Sequence, residues 1–149
     1  HGWTDLFPQD LHTRAKINQY LSWHHSNARR VTPQVLVPLL NSKANEITPQ
    51  DEIYLKNIDT FIAKNAKLLE TGFLADKPFI AGTDAPTLAD YVCYCEMGQT
   101  VLLGLFDSVA YPKLAAWLAR MKSLEHHDEM HAELSSFLAN VGLLASKAA

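Results

Sequence analysis

An all-α fold is what the sequence predicts, on three observations. Short segments with apolar residues at three- and four-residue spacing are separated by Pro and Gly punctuation, no stretch sustains the alternation and β-branched enrichment of a strand, and two Thr-x-x-Asp patterns mark helix starts. The expected architecture is a bundle of about five to six helices around a central buried helix, with residues 1–149 forming a single helical domain. An apolar content of 48% over 149 residues is enough for one real core.

The first helix is expected from about Asp10 to about Arg30, where Ile17, Leu21, His24, Ala28 and Val31 share a stripe. Pro33 breaks or kinks it, and "TPQVLVPLL" adds one or two turns with Thr32 as cap and Pro33 as first position, before the polar connector "NSKANEI". The second long helix opens at "TPQD", with Thr48 as N-cap, Pro49 at the first position and Asp51 meeting the positive end of the dipole. Its inner stripe is Leu55, Ile58, Ile62, Leu69 and Phe73, and Gly72 weakens its end.

"TDAPTLADYVCYCEM" then carries a capping box of Thr87 and Asp90, with Pro86 and Tyr91 placed to staple the first turn. From Leu88 to Leu103 the run is apolar nearly all round, broken only by Asp90, Glu96 and Gln99, so this helix is expected to be surrounded by protein. Two further helices follow. One spans about Pro112 to Leu124 with Leu114, Trp117, Leu118 and Met121 inward; the other spans about His127 to Asn140, lined by Met130, Leu134, Phe137, Leu138 and Val141. The tail is expected to fray after Gly142.

Composition narrows the partners. A net charge of −3 with 19% charged residues supplies no basic footprint, so nucleic acid is not an expected partner. No apolar run approaches the roughly 20 residues that span a bilayer, so no membrane partner is expected. Cys93 and Cys95, two apart on a helix, point to different sides and cannot pair with each other; their apolar setting suits buried packing groups in a reducing, cytoplasmic compartment. His1 in place of an initiator Met implies a fragment or a processed chain.

The order of helices and the segment "PFIAGTDAPTLADY" resemble the C-terminal helical domain of cytosolic glutathione transferases. "LFPQDLHTRAKINQYLSWHHSNARR" is similar to the first helix of the theta class, with its Trp-His pair followed by an Arg, and "HHDEMHAEL" resembles the theta-type last helix. The resemblance implies conjugation of glutathione, the co-substrate, to small electrophiles, in a homodimer formed through the first two helices. It also implies that glutathione and its thiol-activating residue belong to a thioredoxin-like N-terminal domain that these residues do not contain, so this chain alone is expected to lack activity and to hold no catalytic residue.

Within the resemblance, Arg29 stands where the family places an arginine facing the electrophile pocket; its paired N–H donors suit an anionic leaving group or a carboxylate. Ser26, three residues earlier, and His25 are further substrate-binding candidates. If Arg29 is a pocket residue, its removal is expected to lower turnover while hardly moving the melting temperature. His24 lies on the apolar stripe and is expected to be a hydrogen-bonded core or interface group. His127 and His131 are spaced for a metal, with His126 beside them, but "HDEMH" lacks a Glu directly after the first His and has no evident third ligand, so no metal is expected there or at His1. The Thr87–Asp90 box is assigned to folding. The reading from a different class is a helical module that serves protein assembly without catalysis.

Overall fold

The computed structural model describes residues 3–146 and contains six α-helices: α1 (Leu11–Ser26), α2 (Val37–Ala44), α3 (Pro49–Leu68), α4 (Leu88–Leu102), α5 (Pro112–Lys122) and α6 (His127–Asn140). Among the described residues there is no strand, and the fold is all-α. A 3-10 turn (Ala28–Arg30) and a wide π-helical turn (Thr32–Leu36) join α1 to α2, and a second π-helical turn (Leu69–Phe73) extends α3.

α1 starts where its carboxylate cap places it. Asp10 accepts from the Thr13 N–H at 2.7 Å, and its bonding to Thr13, through the side chain first and the N–H second, holds its carboxyl below the usual range. The helix ends earlier than the stripe suggests. Asn27 leaves the helical path, its amide donating back to the Trp23 carbonyl at 2.8 Å, so the break falls there rather than at Pro33. Ile17, His24, Ala28 and Val31 are nevertheless all buried. Thr32 is not a cap: it lies inside the continued helical path, where its hydroxyl is free to bond elsewhere. α2 then runs through most of the segment read as a connector and stops at Asn45, which adopts the left-handed conformation.

α3 carries a full capping box. Asp51 accepts from the Thr48 N–H at 2.9 Å, and its own N–H reaches the Thr48 hydroxyl at 3.2 Å. Asn41 of α2 adds a 3.0 Å bond, and these partners, Asn41 first, hold the Asp51 carboxyl below its ordinary value. At the far end Glu70 reaches across to the start of α5, accepting from Lys113 N–H at 3.0 Å and Leu114 N–H at 2.7 Å. An acid on one helix thus satisfies orphan donors of another.

α4 packs against α1 and α5 and carries the centre of the core. Ala89, Cys93 and Met97 meet Ile17, Tyr20, Leu114 and Trp117 there. The helix is not enclosed on every side, as its composition suggests: Leu88, Tyr91, Cys95 and Val101 form an open flank, and Tyr91 is exposed rather than stapled beneath the first turn. α5 buries Leu114, Trp117, Leu118 and Met121 as its stripe requires. α6 differs more. It packs on α5 at the edge of the bundle and buries only Leu138, while Met130 is 76% exposed and Phe137 is exposed too. The tail does not fray at Gly142: that residue takes the left-handed turn, and Ala145 N–H donates to the Leu102 carbonyl at 2.8 Å, tying the chain back to α4.

Candidate functional site

The candidate site residues gather where α1 ends. The early stop at Ser26 and the tight Ala28–Arg30 turn bring Arg29 over the flank of α4, and its guanidinium pairs with Glu96 through Nη1 and Oε1. The two partners differ in exposure: the Glu96 side chain is 5% exposed, the Arg29 side chain 59%. The other carboxylate oxygen, Oε2, accepts from the Thr32 hydroxyl at 2.9 Å and faces the Thr32 N–H at 3.3 Å. Gln99 completes the network, its amide nitrogen lying 3.1 Å from the Thr32 hydroxyl and 2.8 Å from the Cys95 carbonyl.

The arrangement offers a guanidinium held by one nitrogen, with much of its donor edge toward solvent. Such a group suits a planar or tetrahedral anion. His25 and Ser26, on the last turn of α1, are exposed and do not join the network. His24 lies inward, 6% exposed, against the Tyr20 hydroxyl at 3.1 Å. Burial pushes its pKa down; the nearby Glu96 opposes the shift, and Arg29 and His25 reinforce it.

Sequence reasoning missed Glu96, Thr32 and Gln99 as members of this site. A signal was present, because a carboxylate and an amide inside an otherwise apolar helix need partners when buried. What the sequence does not supply is the partner, 67 residues away in the case of Arg29.

Thr87 and Asp90 lie apart from this site, at the buried start of α4. Asp90 Oδ2 accepts from the Thr87 N–H at 2.8 Å and from its hydroxyl at 3.0 Å, while the Asp90 N–H turns to the Thr87 carbonyl at 2.9 Å. His127 and His131 stack with ring centres 4.3 Å apart beside Tyr94, whose hydroxyl meets His127 Nε2 at 2.7 Å. Asp128 holds the other ring nitrogen of His127 at 2.8 Å, and His131 Nδ1 faces the His127 carbonyl. Among the described residues no group of three or more His, Cys, Asp or Glu side chains converges on a metal position; His1 lies outside them. A groove of about 430 Å³ lies along α1, floored by Trp23, Leu68, Phe73 and Ile80, with Lys16 and Lys77 at its rim; Arg29 does not line it.

No family model matches the chain. It is 34% identical over 121 residues to glutathione S-transferase theta-1 of Gallus gallus, a match covering 78% of this chain and 44% of that protein. Against the crystal structure of human glutathione transferase theta-2 in complex with glutathione and an unknown ligand, the TM-score is 0.78 at 30% identity, over 93% of this chain and 58% of that one. A human theta-class glutathione transferase in complex with the glutathione conjugate of 1-menaphthyl sulfate gives a TM-score of 0.70 at 28% identity, over 95% of this chain and 59% of that one. The chain spans about half the length of the curated relatives it matches.

Proposed function

As this chain is a homologue of the theta-class glutathione transferases and corresponds to their helical C-terminal half, we propose that it forms the electrophile-binding wall of such an enzyme. In this reading glutathione is held mainly by a thioredoxin-like domain, and the group that ionises its thiol lies outside residues 1–149. The thiolate sulfur attacks the electrophilic carbon, a carbon–sulfur bond forms, and the bond to the leaving group breaks. Arg29 donates to the charge that develops on that leaving group. Ser26 and His25 line the approach. The protein acts in the cytoplasm as a homodimer joined through its first two helices.

The observation that carries the reading is Arg29 itself, anchored on a buried carboxylate yet 59% exposed. Exposure also spares the guanidinium its desolvation cost, so a cation that only neutralises Glu96 would look the same, and kinetics separate the two roles. The test is steady-state conjugation in the complete protein with 1-menaphthyl sulfate, whose leaving group is anionic. Arg29→Ala is expected to lower kcat/KM about 10- to 100-fold, and Arg29→Lys to recover part of it if charge alone matters. Unchanged kinetics for Arg29→Ala would remove it from the site. Residues 1–149 alone are expected to show no turnover above the solution background.

A further inference from the structure

We infer that Glu96 is the positioning residue of this site, holding the Arg29 guanidinium so that its free donor edge faces the electrophile. The inference rests on the reading of Arg29 as a substrate-facing group. α4 buries two carboxylates, and they are used differently. Asp90 spends its oxygens on backbone N–H groups, a hydroxyl and an indole, all within the core. Glu96 turns one oxygen to an exposed cation instead.

Its other oxygen fixes it in place. Oε2 takes the Thr32 hydroxyl, that hydroxyl faces the Gln99 amide, and the amide is tied to the Cys95 carbonyl one turn back along α4. Glu96 is buried and Thr32 and Gln99 are half-buried, while Cys95 and Arg29 at the two ends are exposed. A free arginine side chain has about 2 kcal/mol of rotamer entropy to lose on binding a ligand. An arginine already held by a fixed carboxylate loses less at that moment. Glu96 also cancels the charge of Arg29, so the site attracts an anion through the direction of its donors more than through a long-range field.

The experiment is a double-mutant cycle on kcat and KM in the complete protein, with 1-menaphthyl sulfate and an uncharged arylmethyl halide as probes. Glu96→Gln is expected to lower kcat/KM for the sulfate about 5- to 20-fold and to lower it by a clearly smaller factor for the halide, whose leaving ion carries no oxygens to pair with the donor edge. In an Arg29→Ala background the same change is expected to have almost no further effect, because Glu96 acts only through Arg29. If Arg29→Ala impairs the sulfate reaction but Glu96→Gln does not, or if the two losses simply multiply, the positioning role is wrong and the reading of Arg29 stands. If Arg29→Ala leaves both probes unchanged, that reading fails and the inference with it. Should Glu96→Gln not fold, Thr32→Val, which takes the hydroxyl from the second oxygen of Glu96, leaves it only the longer Thr32 N–H contact and does not touch its charge, is expected to give a smaller loss with the same non-additivity, and an additive loss would overturn the assignment.

Discussion

The indole N–H of Trp117 donates to Oδ1 of Asp90 at 2.9 Å, joining the middle of α5 to the first turn of α4 inside the core. The same oxygen accepts from the Ile80 N–H at 2.9 Å, so one fully buried carboxylate closes the loop before α4, caps the helix and docks its neighbour. Asp90→Ala leaves three buried N–H donors without that acceptor. We expect a loss of about 3–5 kcal/mol in a urea melt, while Asp59→Ala, on the exposed face of α3, stays within about 0.5 kcal/mol. Trp117→Phe, which removes one of those donors, should cost about 1–2 kcal/mol. Equal midpoints for Asp90→Ala and Asp59→Ala would refute the assignment.

That carboxylate also marks how far the sequence can be read. Thr87 and Asp90 are three residues apart, and a helix start is a local event, so the box was legible. The partners of the other oxygen are 10 and 27 residues away, and no spacing rule reaches them. The same limit hid the Arg29–Glu96 pair. The break in α1 was hidden for a different reason: Asn27 competes with the helix through its own side chain, whereas the visible signal, Pro33, sits comfortably inside a wide turn. In α6 the apolar stripe was real, but periodicity says which residues share a face and not whether anything covers it.

The two thiols should react differently. Cys93 is fully buried and its thiol is pushed well above the usual range by burial, whereas Cys95 lies on the open flank of α4, its own pKa raised by partial burial and by Glu96. The expectation that both are inert packing groups holds for Cys93 alone. A disulfide reagent at neutral pH should modify one thiol per native chain, more slowly than free cysteine, and both in urea. Cys95→Ser should abolish the native reaction; rapid labelling that survives this change would show that Cys93 is accessible.

His24 predicts a pH dependence with a definite sign. Burial lowers its folded pKa below the usual imidazole value of about 6.5, so over the interval between the two values the unfolded chain binds more protons than the native one. The stability this group contributes is therefore complete above pH about 6.5 and is lost as pH falls through the folded pKa. A proton NMR titration should place the His24 midpoint below the ordinary imidazole value of about 6.5. Urea midpoints compared at neutral and mildly acidic pH should fall less steeply in His24→Gln than in wild type. A His24 midpoint at or above the free value would reverse the argument.

The exposed cation and the buried carboxylate at the end of α1 make removal of Arg29 a stability event as well as a kinetic one. Arginine loss from a purely surface pair is worth about 0–1 kcal/mol, and loss of one partner from a fully buried pair about 3–5 kcal/mol. This pair is of neither kind, with the Glu96 side chain 5% exposed and the Arg29 side chain 59% exposed. Once Arg29 is gone, Glu96 keeps its Thr32 donors and the vacated space admits water, so we expect Arg29→Ala to cost about 1–2 kcal/mol. The melting temperature should therefore move, contrary to what the sequence suggests for a pocket residue, because the carboxylate it covers was not visible there. Adding Glu96→Gln to Arg29→Ala removes the stranded charge and should restore part of the lost stability, while Glu96→Gln alone should cost less than Arg29→Ala. High salt should narrow the gap between wild type and Arg29→Ala only slightly, since the carboxylate lies below the surface. If Arg29→Ala melts with wild-type midpoints at both low and high salt, the ion pair contributes nothing to the fold, and any kinetic loss in that variant belongs to substrate binding alone.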